Sequence, residues 1–172
     1  MIGNLKHLST TSVTSDVADV TFTGLDDDSI YVFYLTNVIP SNDAKYLRLN
    51  FTESGSPNST TNYDYGAYFI RSNSSFADLH NQNQSGFNIT NHTNGTAGNE
   101  STNAELFVMG HNRSNEYTMG IVNSANRDSS GHTYSTPTSM VFTVYSVVDG
   151  VKFFYNTNNI SSGEFSLYKV LS

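Results

Sequence analysis

At 172 residues, with a net charge of -7 and no cysteine, the chain excludes disulfide staples, thiolate metal sites and a cysteine nucleophile. Its 8 Lys plus Arg leave no clustered positive footprint for direct nucleic-acid binding. Hydrophobic residues make up 37%, aromatic residues 13% and charged residues 13%: too much β-forming bulk for a disordered chain, with Asn, Ser and Thr where charges would usually stand. Those residues resist helix interiors and suit turns and solvated strand faces. The composition therefore predicts one all-β domain over residues 1–172, with neutral, hydrogen-bonding surfaces. No apolar run approaches the length of a membrane span, and Met1 to Lys6 leads straight into polar residues with no signal-peptide core.

In chain order, residues 5–14 read as a weak first strand at a sheet edge. Val17 to Thr23 alternates, with Ala18, Val20 and Phe22 on one face. Gly24 to Ser29 is a turn. Ile30 to Thr36 is apolar on both faces and so belongs at the centre of a sheet. Lys45 to Thr52 sends Leu47, Leu49 and Phe51 inward and Tyr46, Arg48 and Asn50 outward. Tyr63 to Arg71 is a further strand. Ser72 to Asn103 is dominated by Asn, Ser, Thr, Gln and Gly and reads as exposed loop, divided by one short strand near Gly86 to Thr90. Ala104 to Gly110 and Tyr117 to Val122 form a hairpin. Asn123 to Ser135 is a second polar loop, and Thr138 to Val147 a long strand. Asp149-Gly150 is a two-residue turn signal. Val151 to Tyr155 and Glu164 to Val170 read as a closing hairpin that completes a sheet. About ten short strands with regular turn punctuation predict an antiparallel β-sandwich of jelly-roll type.

Catalytic and metal motifs are weak. Asp26-Asp27-Asp28 lacks the spaced ligand pattern of a calcium loop and reads as a solvated turn. His7, His80, His92, His111 and His132 carry no metal-ligand spacing. There is no Gly-x-Ser-x-Gly elbow. Asp64, Glu105, Glu116 and Glu164 are the carboxylates from which a glycosidase pair would have to come. The expectation is no enzyme, no metal and no cofactor. Ten Asn-x-Ser/Thr matches, Asn50 among them, follow from composition and are expected to carry no glycan. Tyr46, Tyr63, Tyr65 and Tyr134 read as outward-facing; they are the candidate contacts for a subunit interface or a glycan, because tyrosine offers apolar area with a polar rim.

The ending is distinctive. Gly150, Val151, Phe153, Asn159, Ile160, Ser162, Gly163, Leu167 and Tyr168 resemble the closing pattern of virion structural proteins from tailed phages of marine bacteria, of cyanophage and pelagiphage type. Asn158, Glu164 and Lys169 depart from that pattern. Asp19 to Asp26 and Ser59 to Tyr65 are similar to the family's early strands and first long loop. The resemblance implies a jelly-roll domain on the particle surface, made in the host cytoplasm, with no catalytic residues to carry over. The expected role is a virion accessory protein, a decoration of capsid or tail. Its expected partners are other virion proteins and further copies of itself, as a trimer. A tail-fibre adhesin that contacts host surface glycans is the alternative, and a small carbohydrate-binding protein or glycan-active enzyme is third. Neither nucleic acid nor a membrane is an expected partner.

Overall fold

The computed structural model describes residues 4–25, 28–73 and 76–171. Among the described residues every regular element is a strand: β1 Leu5–Val13, β2 Asp19–Thr23, β3 Tyr31–Pro40, β4 Leu47–Glu53, β5 Ser56–Pro57, β6 Tyr63–Arg71, β7 Phe76–Gln84, β8 Phe87–Asn88, β9 Thr102–Met109, β10 Thr118–Arg127, β11 Thr133–Phe142, β12 Gly150–Tyr155 and β13 Ile160–Val170. They form two antiparallel sheets, one in the order β1-β13-β3-β9-β10-β11-β6-β7 and one in the order β2-β12-β4-β5, with β8 added to β4. The sandwich expected from the composition is present.

Its course is that of a jelly roll. The chain crosses from the large sheet to the small one between β1 and β2, and again between β3 and β4. On its return β12 inserts between β2 and β4, and β13 inserts between β1 and β3. Strand alternation supplies the core. Val20, Phe22, Leu47, Leu49, Phe51, Val151 and Phe153 point in from the small sheet, and Phe33, Leu35, Leu106, Val108, Phe165 and Leu167 from the large one, all buried in one cluster. The Phe153 ring lies 5.4 Å from Phe33 and 5.5 Å from Phe165, each in the other sheet.

Several expectations are overturned, each for a local reason. Residues 72–103 are not mainly exposed loop. Phe76–Gln84 is a nine-residue edge strand on β6, and its polar composition suits an edge whose outer side is solvated. Residues 86–94 then fold over the inner face of β10 and β11, where Phe87, Ile89, Thr90, Asn91 and Asn94 are buried. Hydrogen bonds tie this segment inside: Ser124 Oγ donates to the Ile89 carbonyl at 2.9 Å, the Leu47 N–H donates to Thr90 Oγ1 at 3.1 Å, and Asn91 Nδ2 donates to Thr138 Oγ1 at 3.4 Å. The short strand near 86–90 is present as β8. Asn123 to Ser135 is mostly strand, since β10 runs to Arg127 and β11 begins at Thr133. The following strand stops at Phe142. Asn50 is buried rather than outward, its amide donating to the Ser85 carbonyl at 2.8 Å.

The ending also differs. Asp149-Gly150 is not a hairpin turn, and β12 and β13 are not hairpin partners. β12 lies in the small sheet and β13 in the large one, so the polar link between them is an arch from sheet to sheet. Asp149 instead clamps the entry to β12. Its carboxylate accepts from Thr52 Oγ1 at 2.6 Å and from the Gly55 N–H at 2.7 Å. A Cβ at position 150 would collide with the Phe22 carbonyl oxygen and press on Thr52 Oγ1, because β2 and β4 close in from both sides. Overpacking against backbone cannot be relieved by a rotamer change. Gly150→Ala should therefore lower the unfolding free energy by about 3 kcal/mol in urea titration. Gly66→Ala, whose Cβ meets nothing within 4 Å, should leave it unchanged. Equal stability of the two variants would contradict this packing.

Candidate functional site: the outer face of the large sheet

The two outer faces of the sandwich are chemically unlike. On the small sheet the polar groups are paired with one another. Lys152 Nζ lies 3.0 Å from Asp19 Oδ2. Lys152 and Arg48 sit over the Phe154 ring at 5.6 and 5.8 Å. Arg48 also donates to the Gly86 carbonyl at 3.0 Å. The outer face of the large sheet instead exposes Met119 (53%), Ile121 (45%), Tyr68 (45%), Ile70 (56%) and Phe76 (69%).

Register sets these side chains in rows. Phe107, Ile121, Ser139, Gly66 and His80 stand abreast on β9, β10, β11, β6 and β7. To one side lies the row Met109, Met119, Val141 and Asp64. To the other lies the row Tyr34, Glu105, Asn123 and Pro137. The result is an apolar ridge of Met109, Phe107, Met119 and Ile121 beside a polar trough.

The trough exists because short side chains alternate with long ones. A hollow of about 620 Å³ has Asn103, Glu105, Asn123, Ala125, Ser135 and Pro137 among its lining, with Tyr34 at one end and Tyr68 at the other. Tyr68 and Pro137 also line a smaller hollow with Ile121, Gly66 and Ser139. Gly66 and Ser139 in turn line a third, of about 530 Å³, with Asp64, His80 and Gln82. Gly66, with no side chain in the middle of its row, joins them. Tyr34 is held in place by a hydrogen bond to Glu105 and by the Tyr168 ring, edge-on at 5.5 Å. Burial, and then Glu105, raise its hydroxyl pKa above the usual tyrosine value.

The four tyrosines expected to face outward do not form this surface. Tyr63, Tyr65 and Tyr134 are buried, and Tyr46, just before β4, is half-buried. Tyr63 packs in the core against Phe142 at 4.8 Å, the rings tilted, and its hydroxyl donates to the Asn58 carbonyl at 2.7 Å; burial raises its pKa to about 12. Tyr65 meets the Phe87 ring edge-on at 5.1 Å. The cause is parity. A one-residue shift in strand phase exchanges the two faces, and in β6 the outward set is Asp64, Gly66, Tyr68 and Ile70. The exposed Tyr68 is the residue that the sequence reading missed; its place on the same face as Gly66 and Ile70 in the alternation of β6 is the available signal. Tyr134 shares the phase of Met140 and Phe142, which becomes visible only when β11 is extended back to Thr133.

The titratable groups are dispersed. Asp64 and Glu105 share the outer face but lie three strand spacings apart, roughly 14 Å at about 4.8 Å per strand, beyond the separation of a glycosidase pair. Glu116 is held by Arg113 at 2.9 Å, and Glu164 lies far away in β13. Asp26 and Asp27 are outside the described residues, while Asp28 is paired with Arg113 at 3.3 Å. Among the described residues no group of three or more His, Asp or Glu is placed to hold a metal ion. The densest cluster closes the β10–β11 turn. Asp128 accepts from the N–H groups of Ser130 and His132, both at 2.9 Å, and from the Tyr134 hydroxyl at 2.8 Å. The His92 ring stacks on Tyr134 at 4.0 Å. Arg71 donates to His132 Nδ1 at 2.8 Å, which fixes that nitrogen as the acceptor, since a guanidinium only donates.

Compared with protein-family models and with curated proteins, the chain matches none. Among solved structures, it aligns with the infectious bursal disease virus VP2 subviral particle at a TM-score of 0.13 and 9% identity, over 98% of this chain. The chain spans about 41% of the length of that protein. A superposition that weak carries no argument about fold or role.

The turn cluster generates a pH dependence. Burial alone would raise the Asp128 pKa, but the His132 N–H, the Tyr134 hydroxyl and the Ser130 N–H outweigh it and hold the carboxyl below its ordinary 3.8. Burial, then Arg71, hold the His92 imidazole below its ordinary 6.5. Both folded-state values are depressed, so each group contributes stability that is present above its unfolded pKa and lost as pH falls through the folded one. Thermal stability should therefore drop on acidification from pH 7. Asp128→Ala should cost about 2 kcal/mol at neutral pH, and its deficit relative to wild type should shrink below pH 3.8. A deficit that does not change with pH would rule out the charged contribution.

Proposed function

We propose that this chain is a non-enzymatic accessory protein of a tailed-phage virion, a surface decoration of capsid or tail, and that it docks through the outer face of its large sheet. The observation that carries the docking part is the contrast between the two faces. Large exposed apolar side chains gather on one face, while the other closes its charges on itself. Contiguous apolar area on an outer face is what a protein partner covers. The ridge of Met109, Phe107, Met119 and Ile121 is the part best suited to a flat protein surface. The virion assignment itself rests on the resemblance of the closing strands, Gly150 to Tyr168, to virion structural proteins. Self-association, as a symmetric trimer, would place further copies beside the first on the particle.

The adhesin reading has one observation in its favour. The hollow between Tyr34 and Tyr68 is polar and stays open beside the ridge.

The test is antibody labelling of purified particles viewed by electron microscopy, with copies per particle counted in the same sample. The expected result is many copies over the head or tail surface. A Met119→Ser/Ile121→Ser double variant should be lost from the particle while unfolding at the wild-type temperature, because both side chains are half exposed in the free chain. Particles that carry no copies would overturn the assignment, and a few copies confined to the tail tip would favour the adhesin.

A further inference from the structure

We infer that the hollow bounded by Tyr34 and Tyr68 is a binding site for a neutral oligosaccharide. A sugar chain presents alternating apolar C–H patches and hydroxyl groups. It is recognised by aromatic faces for the first and by fixed donors and acceptors for the second. The hollow supplies both. Tyr34 on β3 and Tyr68 on β6 are separated by four strand spacings, roughly 19 Å at about 4.8 Å each, which is room for a chain of a few sugar units.

The floor between them carries Asn103, Glu105, Asn123 and Ser135. Two of these are pre-set: the Asn103 side-chain oxygen Oδ1 accepts from the Asn37 N–H at 3.0 Å, and Glu105 accepts from Tyr34. The exposed side chains of Asn123 and Ser135 make no hydrogen bond within the described residues and can serve a ligand. Each wall packs on a neighbouring ring: Tyr34 on Tyr168 at 5.5 Å, with Tyr168 in turn 5.1 Å from His7, and Tyr68 on Phe76 at 5.6 Å. Side chains fixed before binding lose little freedom on binding.

The charge of the lining narrows the class. A carboxylate lies in the floor and no cationic side chain lines the hollow, so phosphorylated, sulfated or uronic-acid chains meet repulsion with no compensating pair. A peptide bound by strand addition draws its affinity from an open strand edge. The floor strands β9, β10 and β11 are each paired on both sides and offer no free backbone groups.

The test uses the isolated chain, so it stands apart from where the chain sits on a particle. Neutral oligosaccharides of glucose, galactose, mannose and N-acetylglucosamine, one sialylated and one uronic-acid oligosaccharide, and a lysine-rich peptide are each titrated against isotope-labelled protein by NMR. The expected result is saturable shifts with at least one neutral oligosaccharide, centred on amides of β3, β9, β10 and β11 and of Tyr68 in β6. Tyr68→Ala and Asn123→Ala should each weaken that binding about tenfold or more with the thermal midpoint unchanged. Any of four results would overturn the inference: no neutral oligosaccharide shifting the spectrum up to about 10 mM, shifts centred elsewhere, equal binding by both variants, or preference for the acidic saccharides or the peptide.

Discussion

The fold depends on the contact of Phe153 with the opposite sheet. Phe22 and Phe153 belong to the small sheet, Phe33 and Phe165 to the large one. The four rings meet at centroid distances of 5.4 to 6.3 Å, mostly edge to face. Such pairs contribute about 0.5–1.5 kcal/mol each beyond the area they bury. What brings them together is the insertion of β12 between β2 and β4 and of β13 between β1 and β3. Until those last strands arrive, β2 lacks its link to β4, and β1 lacks its link to β3. The stabilising contacts therefore join the two ends of the chain, and folding must close long loops before they form.

The wide sheet follows from the same arrangement. The jelly-roll strands β1, β13, β3 and β9 fill one half of it, and β10, β11, β6 and β7 extend it. The extension needs its own cover on the inner side, and residues 86–94 provide it, tied to β10 and β11 by the bonds from Ser124 to the Ile89 carbonyl and from Asn91 to Thr138. No segment of the described chain covers the outer side. The division into a self-paired small face and an open large face is thus a consequence of topology, and it leaves Met119, Ile121 and Tyr68 in water. The apolar ridge and the polar trough lie on neighbouring rows of that face, so docking and ligand recognition can share it without using the same side chains.

Much of the fold is legible in the residues. Alternation in Val17 to Thr23 and Lys45 to Thr52 marks strands and puts Val20, Phe22, Leu47, Leu49 and Phe51 inside, while Ala18 is exposed and Asn50 buried against expectation; Ala104 to Gly110 and Tyr117 to Val122 are paired strands as expected, and composition alone gives the all-β class. Two things are hidden. Asn- and Ser-rich segments look like loop whether they are loop, edge strand or buried cover: Phe76–Gln84 and residues 86–94 share a composition but differ in what lies against them. Strand pairing is hidden as well. Asp149-Gly150 carries the local chemistry of a hairpin turn, yet the carboxylate of Asp149 is committed to Thr52 and Gly55, and the chain crosses to the other sheet. The site was illegible for a further reason. Tyr63, Tyr65 and Tyr68 are one residue type in one strand, and only the phase set by β11 and β7 decides which of them meets solvent.

The central claim is that the outer face of the large sheet is the face this protein uses. The chain contains no cysteine, so a single introduced thiol reports on one place. Ile121→Cys on the large face and Thr21→Cys on the small face would be reacted with a maleimide, first as free protein and then within purified particles. Both thiols should react freely in the isolated chain, and in the particle the thiol at position 121 should be protected while that at position 21 remains reactive. Protection at 21 with free reaction at 121 would contradict the claim.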